Sequence, residues 1–438
     1  MASALDPHAA VVAGASGASP TVTAPGAPLT TADGRPLARA LARSQAKARR
    51  RAFLLVLPLL AFIVITFVIP IGQMLHRSMY NDGFSANMPQ TSAWFAEHKP
   101  GTQPDEAAFA ALAADLKAAA DNRTVGIVGT RINYDVPGTR SLFTATGRKA
   151  RDGFEPPYRE ALLDADPKWG EPMLWRAMRN ASTAYTANFY LAAVDRTRDD
   201  AGNVVMAPPQ QQVYVMLFKR TLMLSLLITF TTFLLGFPIA HLLATLPMRK
   251  SNLLMILVLL PFWTSLLVRT TAWMVLLQQQ GVINDLLVWL GVIGNEQRLQ
   301  MIYNQLGTVI AMTHILLPFM ILPLYSVMRT INPSYVRAAK SLGATSWTAF
   351  RRVYFPLTLP GLGAGALLVF ILAVGYYITP ALVGGSTGQL ISNMIAMHMT
   401  ETLNWSMAAA LAAILLGAVL VLYWIYDRLV GIDNLKLG

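Results

Sequence analysis

TLMLSLLITFTTFLLGFPIAHLLATL, residues Thr221 to Leu246, runs for 26 residues without one Asp, Glu, Lys or Arg. At 1.5 Å per residue a helix of about 20 residues crosses the ~30 Å hydrocarbon layer of a bilayer, and a soluble core helix has no need of such a length. The same kind of run recurs at Phe53–Leu75, Leu253–Leu277, Leu306–Met328, Leu359–Ile378 and Trp405–Tyr426, interrupted only by Arg269. Whole-chain composition agrees: 54% of the 438 residues are hydrophobic and 13% are charged, against about a quarter charged in an ordinary soluble domain. The reading is an all-α polytopic membrane protein with six crossings.

The connectors fix an orientation. Met248-Arg249-Lys250, Arg329 to Arg352, and Arg428 with Lys436 are basic, whereas Gln278–Gln300 and Val383–Asn404 hold only Arg298. Basic residues resist translocation, so six crossings with both termini cytoplasmic satisfy the positive-inside rule. The formal charge of +12 could suggest nucleic acid, but Arg77–Gln212 is nearly neutral, with 15 basic and 16 acidic residues. The excess lies beside the apolar runs, where it meets anionic lipid heads rather than nucleic acid.

Residues 1–51 are Ala/Pro/Gly/Thr-rich and end in Lys47, Arg49, Arg50 and Arg51, which reads as a disordered basic cytoplasmic tail before the first crossing at 52–75. A cleaved signal peptide is the alternative, but the apolar run is too long and no small-residue cleavage site follows. Residues 76–212 are too long for a loop and read as an extracytoplasmic α+β insertion domain. Within it Asp105 and Glu106 open an amphipathic helix to about Asp121, Asn133–Phe143 is strand-like, and Lys168–Val194 suggests another helix with Trp169 and Trp175 in a small core. Residues 213–430 form the transmembrane core and 431–438 a cytoplasmic tail.

Pro238, Pro261, Pro318 and Pro323 inside the apolar runs are tolerable where neighbouring helices satisfy the freed backbone. Gly361 and Gly365 form a GxxxG pair, with Gly363 between them. They either let two helices approach closely or start the fifth helix flexibly.

Between the fourth and fifth crossings, residues 331–358 carry Asn332-Pro333-Ser334-Tyr335-Val336-Arg337-Ala338-Ala339-Lys340-Ser341-Leu342-Gly343-Ala344-Thr345-Ser346-Trp347. Asn332 can cap a helix, Pro333 suits its first position and Gly343 its left-handed exit. Thr345 or Ser346 can cap a second short helix to Tyr354, which Pro356 stops. Such a pair makes either a knob for a partner's groove or a connector lying on the membrane surface.

The chain contains no G-x-x-x-x-G-K-[ST] loop and no H-E-x-x-H, its six histidines are scattered, and it has no cysteine. P-loop ATP binding, thiolate chemistry and a metal site are therefore not expected, and no residue is assigned a catalytic role. Arg269 is the one charged residue well inside a span, so it is a candidate pathway residue or a structural anchor snorkelling to the interface. His241 and His314 either titrate in a pathway or pack with hydrogen bonds.

Ala338, Ala339, Gly343, Phe350 and Leu359-Pro360 match the pattern of the EAA loop, and the chain resembles the inner-membrane permeases of binding-protein-dependent ABC importers. Further matches to the spermidine/putrescine branch are Leu260-Pro261-Phe262-Trp263-Thr264, Val268-Arg269-Thr270, Ala272-Trp273-Met274 and Leu316–Tyr325. The resemblance implies a type I importer fold and a permease that moves a small polar solute, such as a polyamine, by alternating access. It also implies an ABC ATPase dimer holding ATP and Mg2+, a second permease subunit, an extracytoplasmic solute-binding protein and a bacterial inner-membrane location. No cofactor is implied for the chain itself. Tyr335, Arg337, Ala338, Ala339, Lys340, Leu342, Gly343 and Ala344 would dock on the ATPase, and Trp263, Arg269, Trp273, Tyr376 and Tyr377 would line the solute pathway.

Two departures stand out. Arg337 replaces the usual Glu of the loop, and Tyr376 stands where polyamine permeases commonly carry an acidic residue, leaving Tyr376 and Tyr377 to offer cation–π contacts. An ion-coupled secondary transporter would be expected to show midplane carboxylates or inverted repeats, and a membrane sensor an output domain. Neither feature is read in the sequence.

Overall fold

In a computed structural model, residues 37–430 are described; the expected tails at 1–36 and 431–438 lie outside them. The chain divides into two compact units after Ile71. Helix α1 (Leu37–Ile63) passes through a π turn (Val64–Val68) into α2 (Ile69–Arg77). The described helix already covers Leu37–Arg51, ahead of the boundary expected at residue 52: the stretch is rich in Ala, Arg and Lys, all strong helix formers, and has no Gly or Pro.

The insertion contains α3 (Pro89–Glu97), α4 (Glu106–Asp121), α5 (Val125–Asn133), α6 (Thr139–Ala150), α7 (Tyr158–Ala165), α8 (Pro172–Ala181) and α9 (Asn188–Ala193). A single antiparallel hairpin follows, β1 (Arg196–Arg198) paired with β2 (Val204–Met206). The insertion is thus helical with one hairpin rather than α+β. Asn133–Phe143, expected as a strand, is the end of α5, a turn at 134–138 and the start of α6, whose Leu142, Phe143 and Thr146 are buried on one helical face. The expected Lys168–Val194 helix is broken into α8 and α9 by the Ser182–Ala187 bend.

Carboxylates order this domain by capping helix N-termini, where unpaired amides and the helix dipole both favour negative charge. Asp105 caps α4 through Ala108 N–H at 2.9 Å and also accepts from Trp94 Nε1–H at 3.1 Å. Asp115, inside α4, accepts from the Thr91 and Gln90 amides at the start of α3, at 2.7 and 3.3 Å. Glu106 accepts from the Tyr158 and Arg159 amides that open α7. Trp169 and Trp175 are buried in the core these helices enclose, as their sequence positions suggested, with Phe84, Phe109, Leu112 and Phe143.

Among the described residues, five helical stretches are long and apolar enough to cross a membrane: Gln45–Arg77, Pro209–Thr245, Gln305–Thr330, Ser346–Gly375 and Trp405–Arg428. A sixth exists only if two helices bent by 97° are one span, Met248–Trp263 with Leu266–Trp289. The expected span Leu253–Leu277 is sharply bent, with Pro261 in the 3-10 turn Leu260–Trp263 just before the break and Ser265 capping the new helix through Val268 N–H.

The elements of this region are α10 (Tyr214–Thr245), α11 (Met248–Leu259), α12 (Leu266–Leu277), α13 (Val282–Trp289) and α14 (Gln305–Thr330). They are followed by α15 (Pro333–Ser341), α16 (Ser346–Ala349), α17 (Phe355–Gly375), α18 (Ile378–Val383), α19 (Gly385–Gly388), α20 (Ile391–Thr400) and α21 (Trp405–Val430).

Helices α10, α14 and α17 share one core of Leu224, Ile228, Leu316, Met320, Ile321 and Val369. Gly361 and Gly365 face α14 in mid-helix, and a Cβ on Gly361 would lie 2.9 Å from the Pro323 carbonyl. Of the two readings of these glycines, close helix approach is the one the structure adopts.

Candidate functional site

The connector between α14 and α17 folds as its side chains dictate. Asn332 Oδ1 accepts from Ser334 N–H at 2.9 Å, Pro333 occupies the first helical turn, and Gly343 leaves α15 with φ +89°. Thr345, of the two capping candidates, holds α16 through Thr348 N–H at 3.2 Å. Pro356, expected to stop this second helix, does not do so; α16 widens into a π turn, Phe350–Tyr354, and runs on into α17. A π turn shifts the hydrogen-bond register by one residue, which accommodates a proline that has no N–H at the first turn.

The knob has two faces. Val336, Ile331 and Phe350 pack on the three-helix core. The other face presents Leu342 at 90% exposure, Trp347 at 68% and Tyr335 at 55%, together with Arg337, Ala338, Lys340 and Gly343. Ala339 and Ala344 are half-buried beneath it. Burying a side chain such as Leu342 against a partner would contribute about 1.5–3 kcal/mol.

A line of aromatic contacts runs inward from this face. Trp347 stacks on Phe350 at 5.7 Å, Phe350 stacks on Tyr354 at 5.9 Å, and Phe350 meets Phe237 of α10 edge-on at 6.0 Å. Tyr354 Oη and His241 Nδ1 share a hydrogen bond of 3.0 Å. His241 is thus tied to packing, and its partner lies 113 residues away, which no local pattern in the sequence could reveal.

The candidate pathway residues separate into groups. Trp273 Nε1–H donates to His314 Nδ1 at 3.0 Å, and α12 meets α18 through Thr270 and Thr379 hydroxyls 3.1 Å apart. Arg269 lies half-buried on the same helix as Trp273, and its Nε has no hydrogen-bond partner among the described residues. Tyr376 is half-buried beside the core and Tyr377 is exposed; their carbonyls accept from Ser392 and Asn393. Trp263 stands apart on the other side of the 97° bend, 88% exposed.

Sequence reasoning missed the joint between the insertion and the membrane helices. Asp195, in a left-handed conformation at φ +57°, accepts from both Tyr214 and Val215 amides at 2.9 Å and so caps α10. Tyr214 Oη shares a 2.9 Å hydrogen bond with His398 Nε2 of α20, and Asn81 Nδ2–H donates to Ser406 Oγ of α21 at 3.0 Å. Phe189 and Ala193 of α9 are buried with Leu217, Ile391, Met407 and Leu411. The insertion is therefore built into the ends of α10, α20 and α21.

Comparison with known proteins matches residues 225–431 to the family described as binding-protein-dependent transport system inner membrane component. The spermidine/putrescine transport system permease protein PotB of Escherichia coli (strain K12) is 35% identical over 245 residues, 54% of this chain and 88% of that protein. The protein of the same name from Haemophilus influenzae is 32% identical over 257 residues, covering 57% of this chain and 89% of its own length. This chain belongs to the binding-protein-dependent permease family. Among solved structures, a bacterial alginate ABC transporter aligns at a TM-score of 0.41 with 19% identity, over 51% of this chain and 80% of that one. The permease is a multi-pass inner-membrane protein and a transport subunit rather than an ATPase.

Proposed function

We propose that this permease is one membrane half of an ATP-driven importer, that its 331–358 knob docks on a separate ATPase dimer, and that its solute is a polyamine. The observation that carries the reading is the two-faced knob, exposed on one side with Leu342, Trp347 and Tyr335 beside Arg337 and Lys340, and packed on α10, α14 and α17 on the other. A partner that holds Leu342, Trp347 and Tyr335 moves the core as it moves the knob. ATP binding and hydrolysis on that partner would bias the helices between inward- and outward-facing states, a population shift set by differential affinity. The polyamine assignment is supported by the names of the spermidine/putrescine permeases that the chain resembles.

In this reading both termini and the knob are cytoplasmic, the insertion is periplasmic, a second permease completes the pathway, and a solute-binding protein docks on the outer face. The Asp195 joint supports a role for the insertion in that docking, because a load on the insertion reaches α10 and α20 directly. Trp273, Arg269, Tyr376 and Tyr377 line the solute route, with the tyrosine faces supplying cation–π contacts to ammonium groups.

Reconstitution of the permease with its ATPase, second permease and binding protein in liposomes tests the assignment. Labelled spermidine or putrescine should accumulate only with internal or external ATP supplied to the ATPase side. Accumulation driven by an ion gradient without ATP would reject it.

A further inference from the structure

A wide cleft lies within the insertion. It encloses ≈ 1090 Å³ between the 97–104 loop, α8 and the β1–β2 turn. Its walls carry Lys99, Arg159, Arg176, Arg179 and Arg198, against Glu97, Asp199 and Asp200. Two of these carboxylates are already engaged. Asp200 pairs with Arg176 at 3.2 Å, and Asp199 accepts from the Asn203 backbone and side chain at 2.8 and 3.3 Å.

Arg179 is the unusual member. Its Nη1 donates to the carbonyls of Phe95 and His98 at 3.1 and 2.8 Å, and its guanidinium lies 4.9 Å from the Phe95 ring centre. Its Nη2 is buried with no partner among the described residues. Burial lowers the Arg179 pKa from its ordinary value, as expected of a guanidinium with no carboxylate beside it. A fixed, planar guanidinium in the cleft wall, with one donor left unpaired, is the arrangement that receives a carboxylate.

We propose that this cleft is the seat for an acidic surface segment of the solute-binding protein, with Arg179 receiving one of its carboxylates and Lys99 and Arg159 steering its approach. The inference deepens the proposed function and rests on it. The cleft lies at the top of the ~300–1,000 Å³ range typical of small-ligand pockets, but its rim side chains Lys99 and Arg159 are exposed, as suits a protein segment rather than an enclosed metabolite. Rim charges of this kind act mainly on association rate and its salt dependence.

The test uses the assembled transporter in nanodiscs and the binding protein that stimulates its ATP hydrolysis. The double variant Lys99→Glu/Arg159→Glu should weaken binding-protein affinity about tenfold at low ionic strength and flatten its salt dependence, with basal ATP hydrolysis unchanged. Arg179→Gln, checked for folding by the Trp fluorescence of the insertion, should raise the dissociation rate. Affinity and salt slope that match the parent in both variants would overturn the proposal, and so would millimolar succinate binding in the cleft without displacing the binding protein. Normal stimulation of hydrolysis alongside those results would leave the importer reading standing. A complex that no binding protein stimulates would count against the importer reading itself.

Discussion

The carboxylate of Asp195 accepts a hydrogen bond from the Tyr214 amide at 2.9 Å, and this contact places the segment between α9 and β1 of the insertion on the first turn of α10. Its second oxygen takes the Val215 amide. Asp195→Ala strips both amides of their acceptor, at a cost of about 1–3 kcal/mol for the end of α10. Hydrogen exchange at Tyr214 and Val215 should accelerate about tenfold or more, while the insertion core around Trp169 keeps its protection. Unchanged exchange would show that the cap does not hold the joint.

Tyr354→Phe deletes the hydroxyl shared with His241 while keeping the ring stacked on Phe350. Loss of one such bond costs about 1 kcal/mol, too little to unfold the protein. In reconstituted transporter, uptake per ATP hydrolysed should fall several-fold as the knob loses its grip on α10. Equal stoichiometry in variant and parent would assign the pair to packing alone.

Arg337 is exposed on α15 at the position where the resembling permeases carry Glu. If the knob docks on the ATPase as proposed, a compensating acidic residue is expected opposite Arg337. Arg337→Glu should lower uptake about tenfold with the native ATPase, equivalent to about 1.4 kcal/mol of lost and repelling charge. An ATPase whose facing acid is replaced by Lys should restore it.

Asp115 is 1% exposed, and burial raises its carboxyl above the ordinary range, only partly offset by the Thr91 and Gln90 amides. A raised folded-state value means that the stabilising contribution is complete below the unfolded value, about 3.9, and is lost as pH rises through the folded one. Mild acidification into the region just above the ordinary carboxylate range should raise the melting temperature of the insertion. Asp115→Asn should abolish that rise while leaving the pH response of the other carboxylates in place.

Gly361→Ala tests the helix contact. The added methyl would lie 2.9 Å from both the Pro323 carbonyl and Val327 Cβ, neither of which can turn aside. Destabilisation of about 1–3 kcal/mol is expected, read as a lower melting temperature in detergent, whereas Gly417→Ala, with open space around it, should be neutral.

Much of this architecture was legible because lipid imposes a coarse rule: long uncharged runs and basic flanks mark spans with little ambiguity. The knob was legible because Asn332, Pro333, Gly343 and Thr345 act locally, within one turn of the residues they order. Pro356 misled, since a π turn two residues upstream absorbs it. The Asn133–Phe143 stretch misled because so short a segment, with few apolar residues, does not distinguish strand from helix until its burial is known. The Asp195 joint, the His241–Tyr354 pair and the Arg179 cleft were hidden for one reason. Each joins residues far apart in the chain, and a single sequence carries no record of such contacts.

The most direct test of the account is a site-specific cross-link from Leu342, the most exposed large side chain of the knob, in the purified transporter. The account predicts that a photoreactive residue at this position labels the ATPase subunit, and that blocking ATP hydrolysis stops solute uptake. A knob that labels lipid alone, with uptake continuing while hydrolysis is blocked, would contradict it.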